Sequence, residues 1–448
     1  MNRIDLTIGI AWASPWWLAL AVTAWRWRGS PSLDDVAAAP SVPTPRLSVI
    51  VPTRNEAKHI AQCIASILAS NYPNLEVVVV DDHSTDGTAA LARAAMARAA
   101  MARAAMARAA MARAAMARAA VNRTASDHPA PDHTAPDHTA PDHSPAADER
   151  RVTIITPPPL PAGWLGKQWA CHHGALGASG DILLFTDADV RHAPDLHTRI
   201  VNTIEREDAD LVSVAGRQQA LTFWERIAQP FVFSVMAQAF GGPGAVNRSR
   251  RRLGKIANGQ CLAFRRSAYD AFGGHAAVRG RIAEDLAFAQ DVYASGLRTF
   301  LTLGMAQMST RMYGSLGEIV AGWGKNVYAG GRELLPGGPV MSAVARVLVP
   351  VPAVWSLLPP LALVSAALGA GGARVAVFGA VATGALLVWF LVVTWRFGIS
   401  LLYALLFPLG ALVYLYIALG AVFRGDRVRW KDRTYNVTPG KSGSSPTS

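Results

Sequence analysis

The sequence predicts an α/β domain with a mostly parallel sheet, joined to transmembrane helices. Three observations predict it. Two strand-like apolar runs, each ending in polar residues, flank a helical stripe. A third run, Ile182 to Phe185, ends in Thr186-Asp187-Ala188-Asp189. Long uncharged stretches lie near the beginning and end of the chain.

The first strand is Leu47-Ser48-Val49-Ile50-Val51, followed by Pro52-Thr53-Arg54-Asn55-Glu56. The second, Val77 to Val80, runs into Asp81-Asp82-His83-Ser84-Thr85-Asp86-Gly87-Thr88. Between them Ile60, Cys63, Ile64, Ile67 and Leu68 recur at helical spacing. Strand, helix and strand make a βαβ unit, whose ligand crevice is expected at the carboxyl edge. No Gly-x-Gly-x-x-Gly follows the first strand, which excludes a dinucleotide enzyme. An unbroken apolar run such as Ile182–Phe185 suits a strand covered on both faces. Alternation along the extended chain turns residues two apart the same way, so Asp187 and Asp189 can share one cation. A hard ion, Mg²⁺ or Mn²⁺, favours one or two carboxylates with water and phosphate completing its shell. A pair of solvated turn aspartates is the plainer reading of the same two residues.

The order Pro-x-x-Asn-Glu, Asp-Asp-x-Ser-x-Asp-Gly-Thr, Asp-Ala-Asp and Glu284-Asp285 resembles the inverting family 2 glycosyltransferases of the GT-A fold, a Rossmann-like nucleotide-sugar domain. The resemblance spans roughly 47–328, apart from one long insertion. It implies that Pro52, Thr53, Asn55, Glu56 and Asp82 line the donor's base and ribose. Asp187 and Asp189 would hold a divalent metal on the donor diphosphate, and Asp285 would be the catalytic base. Pro161 to Trp169 looks like the family's lysine-containing segment, which puts Lys167 near phosphate. Asn258-Gly259-Gln260 resembles the acceptor-side strand, and Glu284 and Trp323 fall on the same side. The implied partners are a nucleotide-sugar donor, expected to be a UDP-sugar, and a lipid-like acceptor of the hopanoid-associated or carotenoid type. The processive synthases' Gln-x-x-Arg-Trp is absent; Gly322-Trp323-Gly324-Lys325-Asn326 stands in that region, favouring single-sugar transfer. A transferase acting on polyprenyl phosphate and a catalytically silent membrane scaffold are the alternatives.

Each role has a bland counterpart. Glu284 and Asp285 open an apparent helix, where carboxylates are ordinary first-turn residues. An exposed lysine is the commoner fate of Lys167, and Trp323 beside an apolar helix can simply pack.

Leu6–Trp25, Val347–Leu368, Val375–Trp395 and Phe397–Phe423 each reach the ~20 residues that cross a bilayer. Trp16, Trp17, Trp25 and Trp27 fit an interfacial belt. No small-residue cleavage site lies close behind the first stretch, so it reads as an anchor rather than a signal peptide. Leu221–Phe240 reads either as a helix on the membrane surface or as a buried soluble helix. The expected organisation is an anchor over 1–28, a catalytic domain over 46–335 with a low-complexity insertion at 92–148, membrane helices over 343–423 and a basic cytoplasmic tail over 424–448. Such an enzyme belongs in the inner (plasma) membrane with its catalytic domain in the cytoplasm. Three spans after that domain would put the basic tail outside, against the positive-inside rule. Pro350, Pro352, Pro359 and Pro360 interrupt the first of the three, which makes it one candidate to stop short, and the sequence does not decide which of the three does.

The formal net charge of +12 does not indicate nucleic-acid binding. Six arginines of the Met-Ala-Arg-Ala-Ala repeat (Arg93 to Arg118) supply half the excess. A five-residue period winds them around a helix without forming one face. The following Asp-His-x-Ala-Pro repeat places proline every fifth residue, which forbids helix. Cys63, Cys171 and Cys261 have no metal or redox spacing, and three unpaired thiols suit a reducing compartment.

Overall fold

The computed structural model describes residues 3–126, 151–334, 338–424, 427–430 and 433–436. The Asp-His-x-Ala-Pro repeat lies outside them. The expected α/β sheet is present, with eight strands in the order β3-β2-β1-β4-β7-β6-β8-β5. These are β1 (Leu47–Thr53), β2 (Leu75–Asp81), β3 (Arg151–Ile155), β4 (Ile182–Thr186), β5 (Val190–His192), β6 (Leu211–Gln218), β7 (Cys261–Arg265) and β8 (Thr299–Thr310). β1 pairs parallel with β2 and β4, and β2 pairs parallel with β3. β7 is antiparallel to β4 and β6, and β5 to β8, so the sheet is mixed in its second half. β1, β2 and β4 are almost wholly buried, as their unbroken apolar runs require.

Register decides what gathers at one edge. Thr53 pairs with Asp81, Thr186 pairs with Cys261, and Gln218 pairs with Thr310. The carboxyl ends of β1, β2, β4, β6 and β8 and the start of β7 therefore share one side of the sheet.

Helix α1 (Arg3–Trp27) precedes the sheet. Helices α2 (Ile60–Leu68), α3 (Thr88–Ser126), α4 (Gly166–Gly177) and α5 (Leu196–Arg206) connect its strands. The alanine-rich repeat forms α3 as expected. Its first turns belong to the fold, since Ala92 and Ala95 are buried, while Met101, Met106, Met111 and Met116 are exposed. The core also extends upstream of residue 46. Leu33 is fully buried and Val36 nearly so, and Arg199 donates to the carbonyls of both. Two apolar residues are too few to show a period, so the sequence does not reveal them.

Helices α6 (Phe223–Phe240), α7 (Pro243–Arg248), α8 (Arg266–Phe272), α9 (Gly274–Ala277) and α10 (Glu284–Ala294) follow β6 and β7. After β8 come α11 (Leu316–Leu334), α12 (Gly338–Leu348), α13 (Val351–Ala367), α14 (Gly372–Phe397) and α15 (Phe407–Arg424). A hairpin of β9 (Arg427–Trp430) and β10 (Arg433–Asn436) closes the described chain. Among the described residues four segments, Arg3–Trp27, Val340–Ala367, Gly372–Phe397 and Leu401–Arg424, are long and apolar enough to cross a membrane.

Among these, α1, α13 and α14 pack along one another. Trp16 stacks on Trp355 at 4.0 Å and its indole donates to the Trp355 carbonyl, while Trp17 donates to the Val381 carbonyl. Trp16 is thus a bundle residue, not part of an interfacial belt, because stacking on Trp355 buries it. Arg374 pairs with Asp5 at the end remote from the sheet. At the opposite end α6 wedges between sheet domain and bundle. Phe231 stacks on Phe390, and the Trp389 indole donates to Ser234. Its middle turns are buried, as the second sequence reading of this segment expects, but here largely against the apolar bundle.

The two ends of α15 lie at the sheet side of the bundle. Tyr403, just before it, contacts Phe223 and the Arg226 guanidinium at the start of α6. Arg424, at its other end, lies over Gly324 of α11. In between, Tyr414 donates to the Val349 carbonyl, at the sheet-side start of α13.

Candidate active site

The Pro-Thr-Arg-Asn-Glu loop and the loop after β2 are stitched together. The Asn55 amide oxygen accepts from Thr85 N–H, and its own N–H donates to the Ser84 hydroxyl. Glu56 N–H donates to Thr88, and Ala57 N–H to Asp86. Asn55 adopts φ 53°, the left-handed region that asparagine tolerates best among side-chain-bearing residues. Thr53 donates to the Val80 carbonyl, and its own carbonyl accepts from Asp82 N–H. Asp82 is 1% exposed and lies 3.8 Å from the Arg54 guanidinium, which also donates to its carbonyl. Pro52 lies partly exposed within β1. Arg54 and Asp86 carry this geometry; they sit inside the motifs, but the sequence offers no signal of their bonds.

Asp187 and Asp189 follow β4 directly. Asp189 Oδ1 is shut off from solvent and has no donor. Burial pushes its carboxyl up to about 7, with the charges of Asp187 and Glu56 adding to the shift. A buried, donorless carboxylate oxygen beside a second carboxylate fits a divalent cation that also binds phosphate and water. Among the described residues no group of three or more His, Cys, Asp or Glu side chains is placed to hold a metal, so any cation here would rely on the substrate for ligands.

Lys167, in the first turn of α4, bridges Asp187 Oδ1 at 2.9 Å and Glu284 Oε1 at 3.1 Å, and reaches the Gly259 carbonyl. Burial pulls the Lys167 ammonium down, but the two carboxylates outweigh it and hold it well above the usual lysine range. Burial pushes the Glu284 carboxyl up, against the opposing pull of Lys167. Lys167 therefore meets carboxylates here, and Glu284 is a buried ion-pair partner rather than an open acceptor contact.

Asp285 is better placed to act on a substrate. Its residue is partly exposed, and its two oxygens accept from Gly259 N–H at 3.1 Å and Leu286 N–H at 2.8 Å. A β-carbon at Gly259 would lie 3.2 Å from Asp285 Cβ and Oδ2, so glycine leaves the carboxylate its room. The loop ahead of Glu284 is clamped by Gln168. That buried amide donates to the Val278 and Arg281 carbonyls and accepts from Gly280 N–H.

Gln260 is turned inward. Its side-chain oxygen accepts from Gln218 and Asn258, and its carbonyl accepts from the Thr186 hydroxyl. Beneath the Asp-Ala-Asp turn runs a chain of buried polar groups, with Thr186 to His192 at 3.0 Å, His192 to His197 at 3.0 Å and His197 to Ser70 at 2.8 Å. Because Thr186 donates to Gln260, His192 Nε2 must carry the proton that Thr186 accepts; burial, pushing His192 down to about 3, keeps the ring neutral. This brace fixes the strand end that presents both aspartates. Nothing in the spacing of His192 and His197 announces it.

Trp323 lies further off, 7% exposed between Phe233 and Tyr313, with its indole N–H buried and unpartnered. Burial pushes the Tyr313 phenol up, and the Asp189 charge adds to this. Tyr313 thus links the acidic edge to the helix layer.

A mixed α/β sheet of the GT-A type, with its acidic edge beside a bundle of apolar helices, defines the class. The chain belongs to glycosyl transferase family 21, whose family model matches residues 161–443, and the glycosyl transferase family 2 model matches residues 48–120. The 4,4'-diaponeurosporenoate glycosyltransferase of Staphylococcus haemolyticus (strain JCSC1435) is 23% identical over 298 residues, 65% of this chain and 64% of that protein. Its Staphylococcus aureus (strain MRSA252) counterpart is 23% identical over 301 residues, 66% of this chain and 64% of that protein. The chain thus spans slightly less than two thirds of the length of these relatives. The solved mannosyltransferase PcManGT from Pyrobaculum calidifontis, in complex with GDP-Man and Mn²⁺, shares the fold. Its TM-score is 0.51 at 22% identity, covering 92% of this chain and 97% of that one.

Proposed function

We propose that this chain is a membrane-bound glycosyltransferase that moves a sugar from a nucleotide-diphosphate donor to a hydroxyl of a lipid-like acceptor, with inversion. The observation that supports this most is the anchored Asp285 carboxylate, set across Gly259 and Lys167 from Asp187 on the same sheet edge. The stitched loops carrying Asn55, Glu56 and Asp82 would receive the base and ribose, taken here as UDP. Asp187 and Asp189 would hold Mg²⁺ or Mn²⁺, which when bound neutralises charge on the departing diphosphate. Two N–H donors fix Asp285 and leave each oxygen a lone pair to take the acceptor's proton during attack. Lys167 keeps Asp187 and Glu284 from repelling each other. The bundle beside this edge, and the name of the Staphylococcus relatives, support a lipid-like acceptor.

Incubating the detergent-purified protein with UDP- and GDP-sugars and membrane lipid, then following lipid masses, tests the reading. A lipid gaining one hexose-type mass from a UDP-sugar is expected. Binding of no nucleotide sugar at all would leave a scaffold instead.

We also infer the topology. With α1, α13 and α14 crossing and both ends of α15 on the sheet side, the basic tail returns to the catalytic, cytoplasmic face of the plasma membrane. The segment that does not cross is then α15, not the proline-bearing α13, whose Trp355 carbonyl, left without a helical donor by Pro359, accepts from the Trp16 indole of α1. Ser445→Cys should react with an impermeant maleimide in inside-out vesicles and be protected in right-side-out ones. The reverse pattern would put the tail outside. The three native cysteines are buried and should stay silent.

A further inference from the structure

The turn that ends α1 is packed against α7. Gly244 backs onto the Gly29 carbonyl, where a β-carbon would come within 2.6 Å. Arg26 reaches across to the Gln238 carbonyl of α6 at 3.0 Å. The exposed apolar side chains of α1 continue to Trp25, 65% exposed, and stop there. The end of α7 and the segment beyond it therefore stand at the level where α1 leaves the apolar layer. They read Arg248-Ser249-Arg250-Arg251-Arg252-Leu253. Arg28, Arg248, Arg250 and Arg251 are all exposed. Arg252 pairs with Asp291, and Lys255 is turned inward, donating to the Val246 and Asn247 carbonyls at the end of α7 with its ammonium over the Tyr293 ring. No carboxylate among the described residues lies in ion-pair range of the other four arginines. Leu253, 41% exposed, sits among them. Beside them opens a cavity of about 750 Å³ lined in part by Asn247, Arg248, Lys255 and Arg298, with Glu207 also in its wall.

We propose that Arg28, Arg248, Arg250 and Arg251 form a docking surface for the anionic head groups of the surrounding bilayer. Unpaired guanidinium groups at a bilayer surface attract acidic lipid, and their planar forks suit phosphate. Leu253 beside them would dip toward the acyl boundary. This rests on α1 as a membrane span, not on the proposed sugar transfer.

The test uses the full-length protein in nanodiscs of phosphatidylcholine with phosphatidylglycerol. After extraction and purification, lipid mass spectrometry gives the ratio of the two lipids retained, relative to the ratio supplied. The native protein should enrich phosphatidylglycerol about fivefold or more, less so at high salt. R28Q/R248Q/R250Q/R251Q should bring the ratio close to that supplied, whereas the four corresponding Arg→Lys changes should keep most of the enrichment. Equal enrichment in the glutamine variant would overturn the proposal. So would displacement of the lipid by inorganic phosphate, or retention of nucleic acid in its place. A protein soluble without detergent would remove the membrane reading of α1 itself.

Discussion

Asp285→Asn is expected to bind nucleotide sugar as the native protein does and to lower turnover by about 10²–10⁴. The asparagine keeps the volume, and its amide oxygen can still accept from Gly259 or Leu286, so the loop clamped by Gln168 should hold its place. What is lost is an anionic oxygen able to take the hydroxyl proton. A hydroxyl is a poor nucleophile while protonated, and that proton leaves during attack, so the loss should fall on kcat and spare donor affinity. Donor titration by calorimetry, beside single-turnover rates, separates the two. Unchanged turnover would remove the base assignment. It would also favour an acceptor that arrives ionised, such as a polyprenyl phosphate, which needs no base.

The second large effect is at Asp189. Asp189→Asn should abolish metal-dependent donor binding, and a chelator should weaken donor binding to the native protein equally. The sign of the pH dependence is set by the site. Burial and the neighbouring Asp187 and Glu56 raise the Asp189 carboxyl from 3.8 to about 7, so below that pH a proton occupies the position a cation needs. Cation affinity should fall about tenfold for each unit below pH 7 and level off above it. Folding stability carries the opposite trend. A carboxyl whose folded pKa is raised costs stability as pH climbs through the interval from 3.8 to about 7, because burial and the charges of Asp187 and Glu56 disfavour the carboxylate. Added Mg²⁺ or Mn²⁺ should therefore raise Tm more above pH 7 than below it. Calorimetric titrations with Mn²⁺ and UDP at several pH values check this. Affinity indifferent to pH, or donor binding indifferent to chelator, would count against the metal role.

The legible parts of the chain were those governed by local rules. Unbroken apolar runs gave β1, β2 and β4, because a strand covered on both faces admits no polar alternation. The helical stripe of Ile60, Cys63, Ile64, Ile67 and Leu68 became the buried face of α2. Alanine-rich repeats gave α3, since backbone propensity acts without partners. Motif order gave the family resemblance, and the chain belongs to a glycosyltransferase family.

The site was legible in its residue types but not in its pairings. Lys167 was expected at phosphate and is found holding Asp187 and Glu284 together. Glu284 and Gln260 were expected to face the acceptor and are buried among protein partners. The His192–His197 brace, the Gln168 clamp and the Arg54–Asp82 contact link residues 5 to 113 positions apart, and no periodicity spans such gaps. The proline-rich segment illustrates the same limit. Local rules place α13 among the segments that could stop short, yet the Trp16 indole of α1, far off in the chain, reaches the Trp355 carbonyl that Pro359 leaves without its helical donor.

By itself the sequence determined the strands β1, β2 and β4, which helices are apolar enough for a bilayer, and which acidic residues follow those strands, because each depends on side chains a few positions apart; β5, β6 and β8 carry no such local signal. Only the tertiary structure decided that Asp285 meets Gly259 and that α15 turns back to the sheet side. Both depend on strand register and helix contact, and in those the free energy comes from surfaces distant in the chain.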